Sequence, residues 1–318
     1  MGNHWSEDLK DGTLDSADVV LILDCDVPWI KGVFKAQETA KVYHIDCDAL
    51  KIQMSLFHLP TELSCQANTR VALQQLNSYI KGTNSFVNTS AIQSRISTLK
   101  TRHEAYIKHI TSLEASPEID DIITPHYVLS RLRDLTPPNT LFLSEGISNY
   151  RPVADVLRLN EPGTYFTSGA TSLGWHGGAA LGAKLANPSK TVVAVTGDGS
   201  FLFSIPSTVH WMARKYEAPF LTVILNNRGW KSPMLSAIAC HRDGYASQVS
   251  SDDLHITFDP PPDHALIAVA AGAGFGATVK KVSEIDQAIR KSLETVNDGR
   301  AAVLDVWLPK FKTGDLVG

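Results

Sequence analysis

The residues best suited to chemistry lie in two short runs, Gly197-Asp198-Gly199-Ser200 and Asn226-Asn227-Arg228-Gly229, with 26 residues between Gly199 and Asn226. Each run follows a β-branched apolar stretch, residues 191–196 (TVVAVT) and 221–225 (LTVIL). The first run offers a carboxylate between two glycines, which let a bulky ligand approach the backbone closely. The second offers an amide oxygen at Asn227 and a backbone carbonyl at Gly229. These are hard oxygen donors, the set that Mg²⁺ or Ca²⁺ takes while bridging to phosphate oxygens. Ser200 and Phe201 read as lying just before a helix, whose free N–H groups favour an anion. His176 and Lys231 are the candidate acid–base side chains, and Arg228 and Lys231 are cations able to neutralise an anionic substrate. Without a ligand the same residues have ordinary roles. Gly-Asp-Gly is then a strand-to-helix turn, His176 a helix-start histidine satisfied by backbone or solvent, and Arg228 and Lys231 solvated cations. Trp230 reads as core or pocket wall.

Two strand ends cooperate only if the strands run parallel, and the pattern supports this. From Thr124 onward short apolar runs alternate with helical segments. Thr124-Pro125 opens a helix with a capping residue and Pro at its first position. Strands are expected at 140–143, 165–167, 191–196, 221–225 and 302–306. Helices are expected at 177–186, 204–216, after Pro233, at 263–271 and at 283–296. Such alternation implies right-handed crossovers and a parallel sheet covered on both faces, with ligands at the carboxyl ends of the strands. Upstream, 17–23 (ADVVLIL) and 41–45 (KVYHI) read as parallel strands, and Asn68 caps a helix reaching about Ile80. Residues 85–115 form a polar helical stretch, read as a solvated helix or linker, and 116–121 mark a boundary. The expectation is an α/β doubly wound parallel sheet in residues 120–318, preceded by a partial Rossmann-like unit with a helical linker in residues 1–115.

Composition narrows the function classes. The 318 residues carry 29 Lys plus Arg against 33 Asp plus Glu, a net charge of -4, with 43% hydrophobic and 19% charged residues. That is globular composition with length for about two domains, and no basic excess to collect a nucleic-acid backbone. The four cysteines form no Cys-x-x-Cys pair, so a disulfide framework or zinc site is not expected and a reducing compartment fits. The first twenty residues show no signal-peptide pattern, and residues 265–279 are too short and Gly-rich to span a bilayer. A soluble cytoplasmic protein is expected.

The paired motifs reach a family. Gly197-Asp198-Gly199, the 26-residue spacer and Asn226-Asn227 resemble the thiamine-diphosphate motif of the acetolactate synthase, pyruvate decarboxylase and 2-hydroxyacyl-CoA lyase superfamily. Residues 17–30 (ADVVLILDCDVPWI) and 42–50 (VYHIDCDAL) resemble the second half of that family's central domain. Residues 167–186 (TSGATSLGWHGGAALGAKLA) resemble its segment beside the aminopyrimidine ring, and 301–308 (AAVLDVWL) its final strand. Nearly the whole chain is covered, in acetolactate-synthase-like flavour. The resemblance implies a thiamine-diphosphate-binding fold in which Asp198, Asn227 and the Gly229 carbonyl hold Mg²⁺. It also implies that Gly197, Gly199, Ser200 and the Gly146-Ile147-Ser148 turn meet the diphosphate, and that the Thr171 backbone and Leu173 side chain contact the pyrimidine. The sequence departs from the family in places. His176 stands where Gly is usual, Ile147-Ser148 replaces a Gln-His pair, and Pro233 stands where pyruvate-type decarboxylases carry a Glu. Family members are roughly twice as long and begin with a pyrimidine-binding domain bearing a Glu that promotes ylid formation.

The implied function is C–C bond cleavage or formation on 2-oxo acids or 2-hydroxy ketones, a lyase or transferase chemistry, with no pyrimidine-binding domain in these residues. A partner chain supplying that domain remains open, as do a thiamine-independent enzyme built on the same pocket, a non-catalytic partner of a full-length relative, and a gene fragment. A homodimer or hetero-oligomer is expected, because a half-built central domain leaves apolar strand faces such as 19–23 to be covered.

Overall fold

The structure is a computed structural model and describes residues 13–29, 36–54, 59–83, 89–168 and 172–311. It divides into two compact units, Met1–His103 and Glu104–Gly318, the division falling within a long helix. The first unit holds three parallel strands in the order β1 (Val19–Leu23), β2 (Lys41–Asp46), β3 (Leu63–Gln66). Helix α1 (Thr69–Gly82) follows, its start fixed by the Asn68 side chain, which accepts from the Val71 N–H at 3.1 Å. Helix α2 (Ser90–Leu113) begins later than expected among the described residues. At the ends of β1 and β2 the buried Lys51 is clasped by Asp26 at 2.7 Å and Asp46 at 2.8 Å, which hold its ammonium above the usual range.

The second unit is the doubly wound sheet. Its elements are α3 (Pro125–Leu135), β4 (Leu141–Glu145), α4 (Tyr150–Leu157), β5 (Tyr165–Thr167), α5 (Trp175–Ala186), β6 (Val192–Gly197), α6 (Asp198–Phe203), α7 (Pro206–Lys215) and β7 (Leu221–Asn226). They continue with α8 (Lys231–Cys240), α9 (Tyr245–Gln248), α10 (His264–Ala271), β8 (Phe275–Val279), α11 (Ile285–Asn297) and β9 (Ala302–Trp307). All pairings are parallel, in the order β5-β4-β6-β7-β9-β8. Alternate strand residues face opposite layers. Phe142, Val193, Val195 and Val223 pack with Leu129 and Leu132 of α3, Val153 of α4 and Ile289 of α11. Leu141, Leu143, Val192 and Ala194 pack with Ala180 and Leu181 of α5 and Val209 and Ala213 of α7. Helices cover both faces, as the near-continuous apolar runs of the strands require.

Two helices differ from expectation. The helix read over 204–216 is α7, and Ile205, in a left-handed conformation (φ 54°), separates it from the short helix α6, which was not expected. Helix α6 starts at Asp198, so Ser200 and Phe201 lie inside it rather than before it. Helix α8 starts at Lys231, with Pro233 in its first turn, where the missing N–H has no intrahelical acceptor to lose. No helix among the described residues is long and apolar enough to cross a membrane.

One buried titratable side chain gives the fold a pH dependence. His210 on α7 is 1% exposed, stacks on Phe220 and tilts against Phe201, and its Nδ1 has no hydrogen-bond partner among the described residues. Burial, and secondarily the neighbouring His176, push its pKa down to about 4. The unfolded imidazole binds its proton nearer pH 6.5. Stability from this group is therefore complete above about pH 6.5 and is lost as pH falls toward 4, by about 3 kcal/mol at 1.36 kcal/mol per unit. Asp198, raised to about 6, slopes the other way over nearly the same window. The expected result is thus a difference: His210→Phe loses less stability than wild type between pH 7 and pH 4. Parallel denaturation curves at the two pH values would contradict it.

Candidate cofactor site

The strand order reverses between β4 and β6. After β4 the chain moves outward to β5, then returns to the other side of β4 as β6. The crevice beyond the carboxyl ends at such a switch point is where open α/β sheets bind ligands. Glu145 ends β4 opposite Thr196 of β6, so Gly146 and Gly197 leave the sheet side by side. The Ser200 hydroxyl donates to the Glu145 carbonyl at 3.3 Å, tying the two exits together. Ile147-Ser148-Asn149 then forms a short 3-10 turn, and α8 approaches it.

Asp198 is 3% exposed at the head of α6. Its Oδ1 accepts from the Gly199 N–H and its Oδ2 from the Gly229 N–H, each at 2.9 Å. Burial nevertheless outweighs these bonds and lifts its pKa to about 6. The second bond joins the ends of β6 and β7, so the structure brings together the Gly-Asp-Gly and Asn-Asn runs. Asn226 shapes the second run: its Oδ1 accepts from the Arg228 N–H at 2.9 Å, closing a turn in which Arg228 is left-handed (φ 63°). Asn226 is held in turn by Asp305 of β9, whose Oδ1 accepts from its Nδ2 at 2.8 Å. His264 Nδ1 and Trp307 Nε1 lie 3.3 Å from the other oxygen of Asp305. Within this turn Asn227 is buried, and its Oδ1 has no partner among the described residues. Among the described residues the Gly229 carbonyl accepts only from the Lys231 N–H at 3.1 Å, leaving a second lone pair. Glycine is required at 229, since a Cβ there would lie 2.4 Å from the Ile256 carbonyl oxygen.

Gly199 has a different reason. A Cβ would meet the Trp230 ring at 2.3 Å, and that ring is braced edge-on by Phe203 and Phe258, with centroids at 5.6 and 5.1 Å. Trp230 is therefore a wall laid on the Gly-Asp-Gly backbone. Arg228 turns aside: its guanidinium stacks 4.9 Å over Trp307, which Lys280 also covers at 3.9 Å. Lys231 is half-buried at the head of α8, with no ion pair among the described residues. His176 is 1% exposed, its Nδ1 2.8 Å from Glu145 Oε2 and 3.1 Å from the Thr196 hydroxyl. Leu173 is half-buried before α5, and Thr171 lies outside the described residues.

Sequence reasoning passed over Glu145 and Asp305. Each had a signal, a lone carboxylate in or ending an otherwise apolar strand, which burial tolerates only with partners.

The sequence family described as "Thiamine pyrophosphate enzyme, C-terminal TPP binding domain" matches residues 146–306, half of the chain. The chain belongs to this family. The matched span opens at the Gly146 turn and closes in β9, so it takes in both the Gly197–Ser200 and the Asn226–Gly229 runs. Among relatives of this chain, benzoylformate decarboxylase of Pseudomonas aeruginosa is 34% identical over 105 residues, covering 33% of this chain and 20% of that protein. Chloroplastic acetolactate synthase 1 of Zea mays is 26% identical over 293 residues, covering 89% of this chain and 42% of that protein. The solved thiamine diphosphate-dependent 4-hydroxybenzoylformate decarboxylase of Rhodococcus jostii RHA1 superposes with a TM-score of 0.69 at 16% identity, over 94% of this chain and 50% of that one. That likeness establishes the fold. The chain spans half or less of the length of these relatives.

Proposed function

We propose that this chain binds thiamine diphosphate with Mg²⁺ and serves, as enzyme or enzyme subunit, C–C bond cleavage or formation on 2-oxo acids or 2-hydroxy ketones. The observation that carries this reading is the oxygen set at two adjoining strand ends: the buried Asp198 carboxylate, held only by backbone N–H groups among the described residues, the Gly229 carbonyl, and a buried Asn227 Oδ1 with no partner among the described residues. Burying a charge, or an amide oxygen without a partner, costs free energy, and a hard divalent cation is the partner such oxygens suit. The residues thus fit the group. Asp198, Asn227 and Gly229 would hold the cation. Gly146, Ile147, Ser148, Gly197, Gly199 and Ser200, gathered at the switch point, would line the diphosphate, and Leu173 and Thr171 the pyrimidine. Thiamine diphosphate, when bound, supplies a centre that stabilises a carbanion next to a carbonyl. The chain's own residues bind and orient, and Trp230 shields the head of α6.

In this reading residues 120–318 are the diphosphate-binding domain and residues 1–115 belong to a central Rossmann-like domain with its helical linker. The assembly is a homodimer or a complex with a chain bearing the pyrimidine-binding domain. A thiamine-independent use of the pocket would need His176 and Lys231 to act on substrate directly. The buried His176, with Nδ1 engaged by Glu145 and Thr196, does not favour it.

The test is calorimetric titration of the purified chain with thiamine diphosphate, with and without Mg²⁺, followed by mass analysis after desalting. The expected result is saturable binding that requires Mg²⁺. Absence of binding overturns the reading. With pyruvate as substrate, turnover by these 318 residues alone is expected well below about 1 s⁻¹. The activating acid–base group of the pyrimidine-binding domain, worth about 10²- to 10⁴-fold, must come from outside them.

A further inference from the structure

We propose that Glu145 is a positioning residue that sets the spacing between the turn after β4 and the segment leading into α5, and thereby between the two ends of one bound cofactor. This rests on the thiamine diphosphate reading above. Glu145 is fully buried at the end of β4. Its Oε1 accepts from the Gly174 N–H at 2.6 Å, and its Oε2 accepts from the His176 N–H at 2.8 Å, with His176 Nδ1 also at 2.8 Å. Its main-chain carbonyl accepts from Ser200. One residue therefore touches all three segments given to the cofactor: it directly precedes Gly146-Ile147-Ser148, its carboxylate grips the backbone just past Leu173, and its carbonyl meets the Gly-Asp-Gly-Ser turn.

The grip is strong and directional. Helix α5 has no side-chain cap of its own, because its capping position is Gly174. Its first N–H groups are satisfied from another strand, by a carboxylate at the positive end of the helix. His176 completes the clamp from the helix side and leans on Thr196 of β6. The carboxylate is thus a strut of fixed length between β4 and α5, bonded at both oxygens.

A cap that only stabilised α5 would leave ligand discrimination unchanged. A spacer would not, because the diphosphate end of the site stands on β4 and β6 while the pyrimidine end stands on the segment before α5. Two variants separate these roles. Glu145→Asp keeps the charge and both acceptor oxygens but shortens the strut by one carbon. Glu145→Gln keeps the length but turns an amide N–H₂ toward a backbone donor. Each is titrated, beside wild type, with Mg²⁺–thiamine diphosphate and with Mg²⁺–pyrophosphate, which engages only the diphosphate end. Exchange of the amides in residues 172–177 is followed by mass spectrometry.

Both variants are expected to bind pyrophosphate within about twofold of wild type. They should bind thiamine diphosphate at least about tenfold more weakly, about 1.4 kcal/mol. The amides of Gly174 and His176 should exchange faster. If Glu145→Gln does not fold, Glu145→Asp alone carries the test. Variants that weaken on both ligands alike, or on neither, overturn the spacing role while leaving the cofactor reading intact. So does wild type that holds thiamine diphosphate but not millimolar pyrophosphate, since the diphosphate end would then have no separate site. Wild type that binds neither ligand removes the cofactor reading itself.

Discussion

Asp198→Ala is expected to weaken Mg²⁺–thiamine diphosphate binding by about 100-fold or more, about 2.8 kcal/mol at 1.4 kcal/mol per decade. Asp198 is the only charged member of the proposed donor set, and Asn227 and Gly229 contribute neutral oxygens. Losing one member of a buried charge pair costs about 2–5 kcal/mol in comparable settings. The ligand-free protein should respond far less, because two effects oppose. The variant strands the Gly199 and Gly229 N–H groups, at about 1–3 kcal/mol each. It also removes a carboxylate whose burial already lifts its pKa to about 6. Calorimetry on variant and wild type, with circular dichroism to verify folding, reads the difference. Equal affinities would remove Asp198 from the site.

The second large effect is structural. Gly174→Ala places a Cβ 2.5 Å from the Phe203 carbonyl oxygen, 2.6 Å from its carbon and 2.9 Å from the Ser204 nitrogen, in a backbone held at φ 93°. These neighbours are main chain at the end of α6 and cannot rotate away. Strained left-handed backbone costs about 1–3 kcal/mol, and overpacking about 1–3 kcal/mol more. A loss of melting temperature on the order of 10 °C follows for a unit of this size. Gly178→Ala, four residues along, is the control. It meets nothing within 4 Å and exchanges Gly for Ala in a helix, which favours the helix by about 1 kcal/mol. Thermal unfolding should separate the two sharply, and similar melting points would show that α5 can slide on α6. Because the Gly174 N–H is one of the bonds that Glu145 accepts, the variant should also disturb the proposed cofactor site.

What was readable from residues alone was whatever depends on near neighbours in the chain. The caps are of this kind: Asn68 and Thr124 each accept from an N–H three residues on. So are the strands whose apolar runs are uninterrupted, β6 and β7 above all, and the paired motifs at their ends. Strands β3 and β8 escaped detection for a physical reason. LSCQ is exposed at every position and FGATV is diluted by glycine, so neither shows the apolar run that marks a buried strand. The short helix α6 was equally hidden, since a Gly-Asp-Gly-Ser run reads locally as a turn.

The sequence by itself determined the fold class, the parallel sheet and the candidate oxygen donors, because helix caps, strand runs and strand-end motifs are short-range. Only the tertiary structure decided how those donors meet. The strand order places the switch point between β4 and β6, and no local pattern encodes that order. Glu145 finds its partners 29 and 31 residues away, and Asp305 reaches Asn226 across 79. The Trp230 ring forbids a side chain at Gly199. Contacts of that range form only when burial forces distant polar groups to satisfy one another, and a single sequence names the groups without naming the pairs.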